Sequence, residues 1–220
     1  MQFEQVIAEL RKHGDKRAVA ARHKLGLKTD NYLGVELNKI LSIAGKIGKN
    51  HKIAEQLRKT GIRDAALLSF FVDDPKKISV AEANIIVRSL DYPDMSDAFS
   101  KVVINTPHIF DLVDEWKDSS KEMIKRAAYM SVHGLAGNNH KIEDDYFLEF
   151  LSRIEREFGY SKNWVKDSMI HALNSISMRN GSLKNRAACV IKNIGKFKVE
   201  YQKSSGIIPA RLIEIENGGN

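Results

Sequence analysis

LNKILSIAGKIGKNHKIAEQLRKTGIRDAALLSFFV, residues 37–72, holds three short helical patterns in a row. Leu37, Ile40, Leu41, Ala44 and Ile47 recur at the spacing that lines one face of an α-helix. After short polar turns, His51–Lys59 and Ile62–Val72 fit two more helices. The pattern extends in both directions. Phe3, Val6, Ile7 and Leu10 carry it upstream, and Val80–Leu90, Asp94–Asn105 and His108–Lys117 carry it downstream. Lys121–Leu135, Glu143–Phe158, Asn163–Met178 and Leu183–Phe197 follow. No stretch alternates apolar and polar residues long enough for a sheet; the nearest is Ile207–Ile215. Start signals agree: Ser79 with Glu82 and Ser119 with Glu122 read as capping boxes. Thr106 before Pro107, and Ser161 and Ser182, read as caps. About a dozen short helices joined by turns predict an all-α chain of stacked antiparallel pairs, an α-solenoid. Arg63-Asp64-Ala65-Ala66, Arg126-Ala127-Ala128 and Arg186-Ala187-Ala188 echo one another, their alanines suited to close helix contact. The expected organisation is a single domain over 1–220, with an irregular extension from about residue 198.

Of 220 residues, 43% are hydrophobic and 29% charged, as in a soluble globule and unlike a disordered chain. One cysteine, Cys189, excludes an intramolecular disulfide. Its neighbours Ala187, Ala188, Val190 and Ile191 suggest a small core residue. No apolar run approaches a membrane span, and the N-terminus lacks the pattern of a signal peptide. A cytoplasmic, monomeric protein is expected.

Charge is uneven. Residues 1–60 carry 13 basic and 6 acidic side chains, residues 61–160 carry 12 and 18, and residues 161–211 carry 10 and 2. Two basic ends flank an acidic middle, and if they meet they make a surface suited to phosphates. Lys16, Arg17, Arg22, Lys24, Lys46, Lys49, Lys162, Lys166, Arg179, Lys184 and Arg186 are the candidate DNA contacts.

Enzyme motifs with strong signatures are missing. There is no phosphate-binding glycine loop and no nucleophile elbow. The seven histidines show no zinc spacing; His133, His140 and Asp144 read as a polar loop, and no metal or cofactor is expected. Attention falls on Asp94 and Asp97, one turn apart at a helix start, and on Arg126 at the start of a long apolar helix. Arg126 either faces a ligand surface or pairs with Glu122 four residues earlier.

An ordered series of segments carries a resemblance. It runs Gly34-Val35-Glu36-Leu37-Asn38-Lys39-Ile40, His51-Lys52-Ile53-Ala54-Glu55-Gln56-Leu57, Gly61-Ile62-Arg63-Asp64-Ala65-Ala66-Leu67-Leu68 and Asp73-Asp74-Pro75. It continues through Pro93-Asp94-Met95-Ser96-Asp97, Pro107, Trp116, Met123-Ile124-Lys125-Arg126-Ala127-Ala128 and Trp164-Val165-Lys166-Asp167-Ser168-Met169-Ile170-His171-Ala172-Leu173. From about residue 15 to 200 the chain resembles the HEAT-like-repeat DNA alkylation repair proteins, the AlkD-type alkylpurine DNA glycosylases and their relatives. The resemblance implies a right-handed solenoid with a basic concave groove for duplex, damaged or branched DNA. It implies cleavage of the N-glycosidic bond of cationic alkylpurines, with a carboxylate stabilising charge at C1′. That carboxylate falls on Asp97 and the family's DNA-holding arginine on Arg126. The two aromatic positions that contact the lesion fall on Pro93 and His171, so both rings are replaced; Tyr92 is the neighbouring ring. Trp116 and Trp164 match other parts of the pattern and read as core packing. Two functions compete: a glycosylase using Asp97 and Arg126, and a non-catalytic module that binds structured DNA or scaffolds a protein.

Overall fold

Helix stripes decide which faces meet. In α4 (His51–Lys59) the buried residues are Ile53, Ala54 and Leu57, and in α3 (Leu37–Ile47) they are Ile40 and Ile43. Both stripes close on α5 (Arg63–Val72). The computed structural model describes residues 1–24, 27–138 and 141–195. Ile207–Ile215, the expected C-terminal extension and His140 lie outside the described residues.

The remaining helices are α1 (Phe3–Lys12), α2 (Lys16–Lys24), α6 (Val80–Ser89), α7 (Pro93–Val103), α8 (Ile109–Trp116), α9 (Glu122–Asn138), α10 (Asp144–Glu157), α11 (Asn163–Ser177) and α12 (Gly181–Ile194). A 3₁₀ turn occupies Pro75–Lys77, and the described residues contain no strand. Helices α5, α7, α9 and α11 form one row, with α9 packed most extensively against α11 and α7. Helices α6 and α8 lie on α9, and α12 packs on both α10 and α11. The chain is an α-solenoid. No described helix is long and apolar enough to cross a membrane.

Small residues set the spacing inside the row. Ala65, Ala127, Ala128 and Ala187 are fully buried, while Ala188 is exposed. Between α7 and α9 the Ser96 hydroxyl donates to the Met123 carbonyl at 3.1 Å, and Ser100 to the Ala127 carbonyl at 3.2 Å. A Cβ on Gly134 of α9 would meet Ile104 at 3.0 Å, so glycine permits that approach. The core falls into two clusters. One joins α1, α3, α4 and α5 through Val6, Leu10, Ile43, Leu57 and Leu68. The larger spans α6 to α12 and includes Phe99, Trp116, Tyr129 and Phe147.

The approach to α3 is held by a buried carboxylate. Asp64 accepts from the backbone amides of Leu33 (2.7 Å) and Val35 (2.8 Å). Burial raises its pKa, and those two amides oppose the rise. Between them Gly34 adopts φ 77, with Asp15 O where a side chain would stand.

Several local expectations need correction. Ser79 does accept from the Glu82 amide. Thr106 does not cap α8: its hydroxyl donates to the Val103 carbonyl, and His108 takes the N-cap position. Ser182 lies inside α12, whose cap is Asn180, accepting from Leu183 N at 3.0 Å. Ser161 donates to the Glu157 carbonyl, and Lys162 stands at the start of α11. Glu122 reaches away from Ser119 to accept from Trp164 N at 2.8 Å. Cys189 is exposed, because the buried stripe of α12 is Leu183, Ala187 and Val190 and position 189 falls beside it. The apolar spacing also passes over α2, which buries no residue and so has no stripe to read.

Candidate nucleic-acid interface and carboxylate site

The first turns of α7, α9 and α11 bring three charges together. Asp97 lies one turn into α7, Arg126 one turn into α9, and Asp167 one turn into α11. Arg126 Nε donates to Asp97 Oδ1 at 2.7 Å and Nη2 to Asp97 Oδ2 at 2.8 Å, a bidentate pair. Nη1 donates to Asp167 Oδ2 at 2.7 Å and to the Trp164 carbonyl at 2.8 Å. The Arg126 side chain is 3% exposed and that of Asp167 5%, but Asp97 is 26% exposed. Burial works against the guanidinium charge; the Asp97 and Asp167 carboxylates outweigh it and hold the Arg126 pKa above its ordinary value.

Arg126 therefore pairs with Asp97, not with Glu122. Its three nitrogens are engaged inside the protein, so in this arrangement it positions Asp97 and does not reach a phosphate. Two carboxylates against one guanidinium leave the group one negative charge in excess. That excess is presented through Asp97 to a cavity of about 450 Å³, also lined by Ser100, Lys101, Asn105, Met130 and His133.

Pro93 is buried at the first position of α7, where its ring suits the helix start. Tyr92 precedes it as the N-cap residue and meets the Trp164 ring edge-on at 6.1 Å. Trp164 is not a core residue: it is half-buried, with its ring 5.8 Å from the Arg126 guanidinium. Trp116 is core, 1% exposed, its indole donating to Asn84 Oδ1 at 2.7 Å. His171 projects one turn beyond Asp167, with its side chain 39% exposed and Nε2 3.8 Å from Asp167 Oδ1. His133 of α9 stands 5.6 Å from it, ring to ring. His133 Nδ1 lies 2.6 Å from Ser175 Oγ. Burial, then the neighbouring His171, lowers the His133 pKa.

The basic residues divide into free and engaged. Lys16, Arg17 and Lys24 are exposed on α2. Arg22 stacks between Tyr32 (5.1 Å) and Tyr92 (5.3 Å), linking α2 to the residue that precedes α7. Lys184 is exposed; Lys46 lies 3.9 Å from Glu9, and Lys49 donates to the Phe71 carbonyl. Lys162 donates to the Ser120 carbonyl, and Lys166 sits over the Phe158 ring. Two expected DNA contacts have other duties. Arg179 donates to the Ala136 and Ile142 carbonyls and covers the Phe147 ring at 4.2 Å, while Arg186 pairs with Glu155. Of the imagined loop ligands, Asp144 accepts from Asn180.

The family described as DNA alkylation repair enzyme matches residues 6–188, and the chain belongs to it. A solved structure, described as a new family of proteins related to the HEAT-like repeat DNA glycosylases with affinity for branched DNA structures, superposes with a TM-score of 0.83. The two chains are 23% identical, and the match covers 93% of this chain and 88% of that one. No curated protein matches the sequence significantly.

Proposed function

We propose that this protein binds DNA through its basic surface, in a groove that runs past Asp97, and that it favours structured or branched duplexes. The observation that carries the reading is α2. It holds Lys16, Arg17, Arg22, His23 and Lys24, no acid and no buried residue, so it adds nothing to the core. Arg22 nevertheless fixes it beside Tyr92, whose ring meets that of Trp164, itself 5.8 Å from the Arg126 guanidinium. A helix kept in place yet left outside the core is well suited to meet a phosphate backbone. Family membership supports DNA as the partner, and the affinity for branched DNA described for the structural relative supports the choice of substrate.

The test is binding of the full chain to labelled duplex, three-way and four-way junction DNA across a salt series. Log K should fall linearly with log salt, by about 0.9 per phosphate neutralised on B-DNA. Binding that ignores salt, or no binding at all, refutes the reading and leaves a protein-scaffold role.

A second reading, glycosidic hydrolysis, is favoured by one observation: the carboxylate group has a net negative charge and an open side. When the C1′–N bond of a cationic alkylpurine breaks, the base leaves neutral with the electron pair and positive charge grows on the sugar. Asp97 would stabilise that charge and accept the proton of the water that attacks C1′. Replacement of both lesion-contacting rings by Pro93 and His171 removes cation–π contacts worth roughly 0.5–2 kcal/mol each, so turnover would be slow. Release of alkylated base from methylated duplex by the wild type, lowered about 100-fold or more by Asp97→Asn, is the expected signature. Equal release by both proteins sinks it.

A further inference from the structure

Away from the carboxylate site, α4 and α6 place a second set of polar groups together. His51 and Glu55 sit four residues apart on α4, on one face, and Glu82 lies in the first turn of α6. One donor atom from each lies within 4.8 Å of the other two. His51 Nδ1 is 2.7 Å from Oδ1 of Asp73, which is 1% exposed. A carboxylate accepts, so Nδ1 donates to Asp73 and Nε2 is the ring nitrogen that faces Glu82. Nε2 stands 3.7 Å from Glu82 Oε2, too far for a hydrogen bond. Two donors about 2.1 Å from one tetrahedral ion stand about 3.4 Å apart, close to that separation. Glu55 makes no hydrogen bond or ion pair among the described residues.

Arg58 shares the region without filling it. Its Nη1 takes Asp73 Oδ2 at 2.6 Å and its Nη2 takes Glu82 Oε1, the oxygens opposite those that face His51. That leaves Glu82 Oε2 and both oxygens of Glu55 without a hydrogen-bond partner among the described residues. A cavity of about 490 Å³ lies beside Glu55 and Glu82, its other charged lining residues being Asp91, Arg58, Lys59 and Arg63.

We propose that His51, Glu55 and Glu82 bind a divalent transition cation of the zinc type, with Asp73 orienting the imidazole as a carboxylate–histidine–metal relay. Neither the DNA-binding reading nor the hydrolytic one requires this site, and it departs from the sequence-level expectation of no metal. The ion would tie α4, in the N-terminal core cluster, to α6, in the larger one. Binding would then stabilise the fold by linkage.

The test uses the full chain stripped with a chelator and titrated with zinc chloride, with cobalt(II) as an optical probe. Expected are one saturable site, cobalt absorption from a nitrogen–oxygen environment, and a rise in thermal midpoint with zinc. His51→Gln and Glu55→Gln should each weaken binding at least about tenfold and abolish the thermal shift, while His133→Gln should leave both unchanged. Glu55→Gln removes a side chain with no internal partner among the described residues, so its fold should be retained, as circular dichroism will report. Equal affinity in wild type and Glu55→Gln, or no saturable site in wild type, overturns the proposal.

Discussion

Arg126 bears more on this molecule than any other single side chain. Its guanidinium joins three helices through two carboxylates and a carbonyl. Removing it takes from the buried Asp167 the guanidinium that pairs with it at 2.7 Å. Arg126→Met should therefore cost about 3–5 kcal/mol in urea unfolding, and Arg126→Lys should recover little because it cannot grip Asp97 with two parallel bonds. A pH prediction comes from His133. It faces His171, Asp97 and Lys101, and its folded pKa lies below the ordinary value, chiefly through burial. As pH falls below about 6.5 the unfolded chain takes up the proton first, so stability drops until the lowered folded pKa is passed. Above that window the residue contributes no pH dependence. Urea midpoints measured from pH 7.5 to 5 should show the fall, and His133→Gln should flatten it. At this scale Asp97 is noticeable as an acid beside Ala98 and Phe99, but its residues alone read as ordinary charge at a helix start, and the family resemblance is what singles it out. Asp167 is not, because its own helix shows only an acid four residues before His171, and its pairing with Arg126 depends on α9 arriving alongside.

Helices are legible in proportion to how one-sided their burial is. α4 begins and ends where its apolar spacing indicates, since one face is core and the other water; α3 runs over the expected stretch, but it buries Ile40 and Ile43 and leaves Leu37 and Leu41 of the expected stripe exposed. α2 carries no such signal, because none of its residues is buried. The same fact yields a prediction: replacing Lys16, Arg17 and Lys24 with Gln should change unfolding free energy by no more than about 0.5 kcal/mol for each substitution. DNA affinity should drop at low salt, and the salt slope should shrink by about 0.9 for each phosphate that is no longer neutralised. Anisotropy and urea titrations on the same preparation separate the two effects. Caps are a subtler case. Ser182 and Asn180 are both good caps by composition, and packing of Leu183 into the core chose the earlier start. Asn180→Ala should therefore cost about 1 kcal/mol, whereas Ser182→Ala should be nearly neutral.

At the scale of the whole molecule, the core divides unevenly. The small N-terminal cluster draws on α1, α3, α4 and α5, while α6 to α12 share one larger cluster. Solenoid stability is a sum of neighbouring interfaces, so the unit with fewer buried partners opens first. Native-state hydrogen exchange should show amides of α1 and α3 exchanging through lower-energy openings than those of α9 and α11; uniform protection would contradict this.

Apolar spacing every three or four residues established that the chain is helical throughout the described core, and the ordered motifs established the family, because both are written locally along the chain. Which charges meet was decided only by the folded stack. Arg126 lies 29 residues from Asp97 and 41 from Asp167, and the geometry that joins them is the register of α7, α9 and α11, set by small residues such as Ser96, Ser100 and Ala127. Coulomb and hydrogen-bond partners across neighbouring helices depend on that register, and no single helix encodes it.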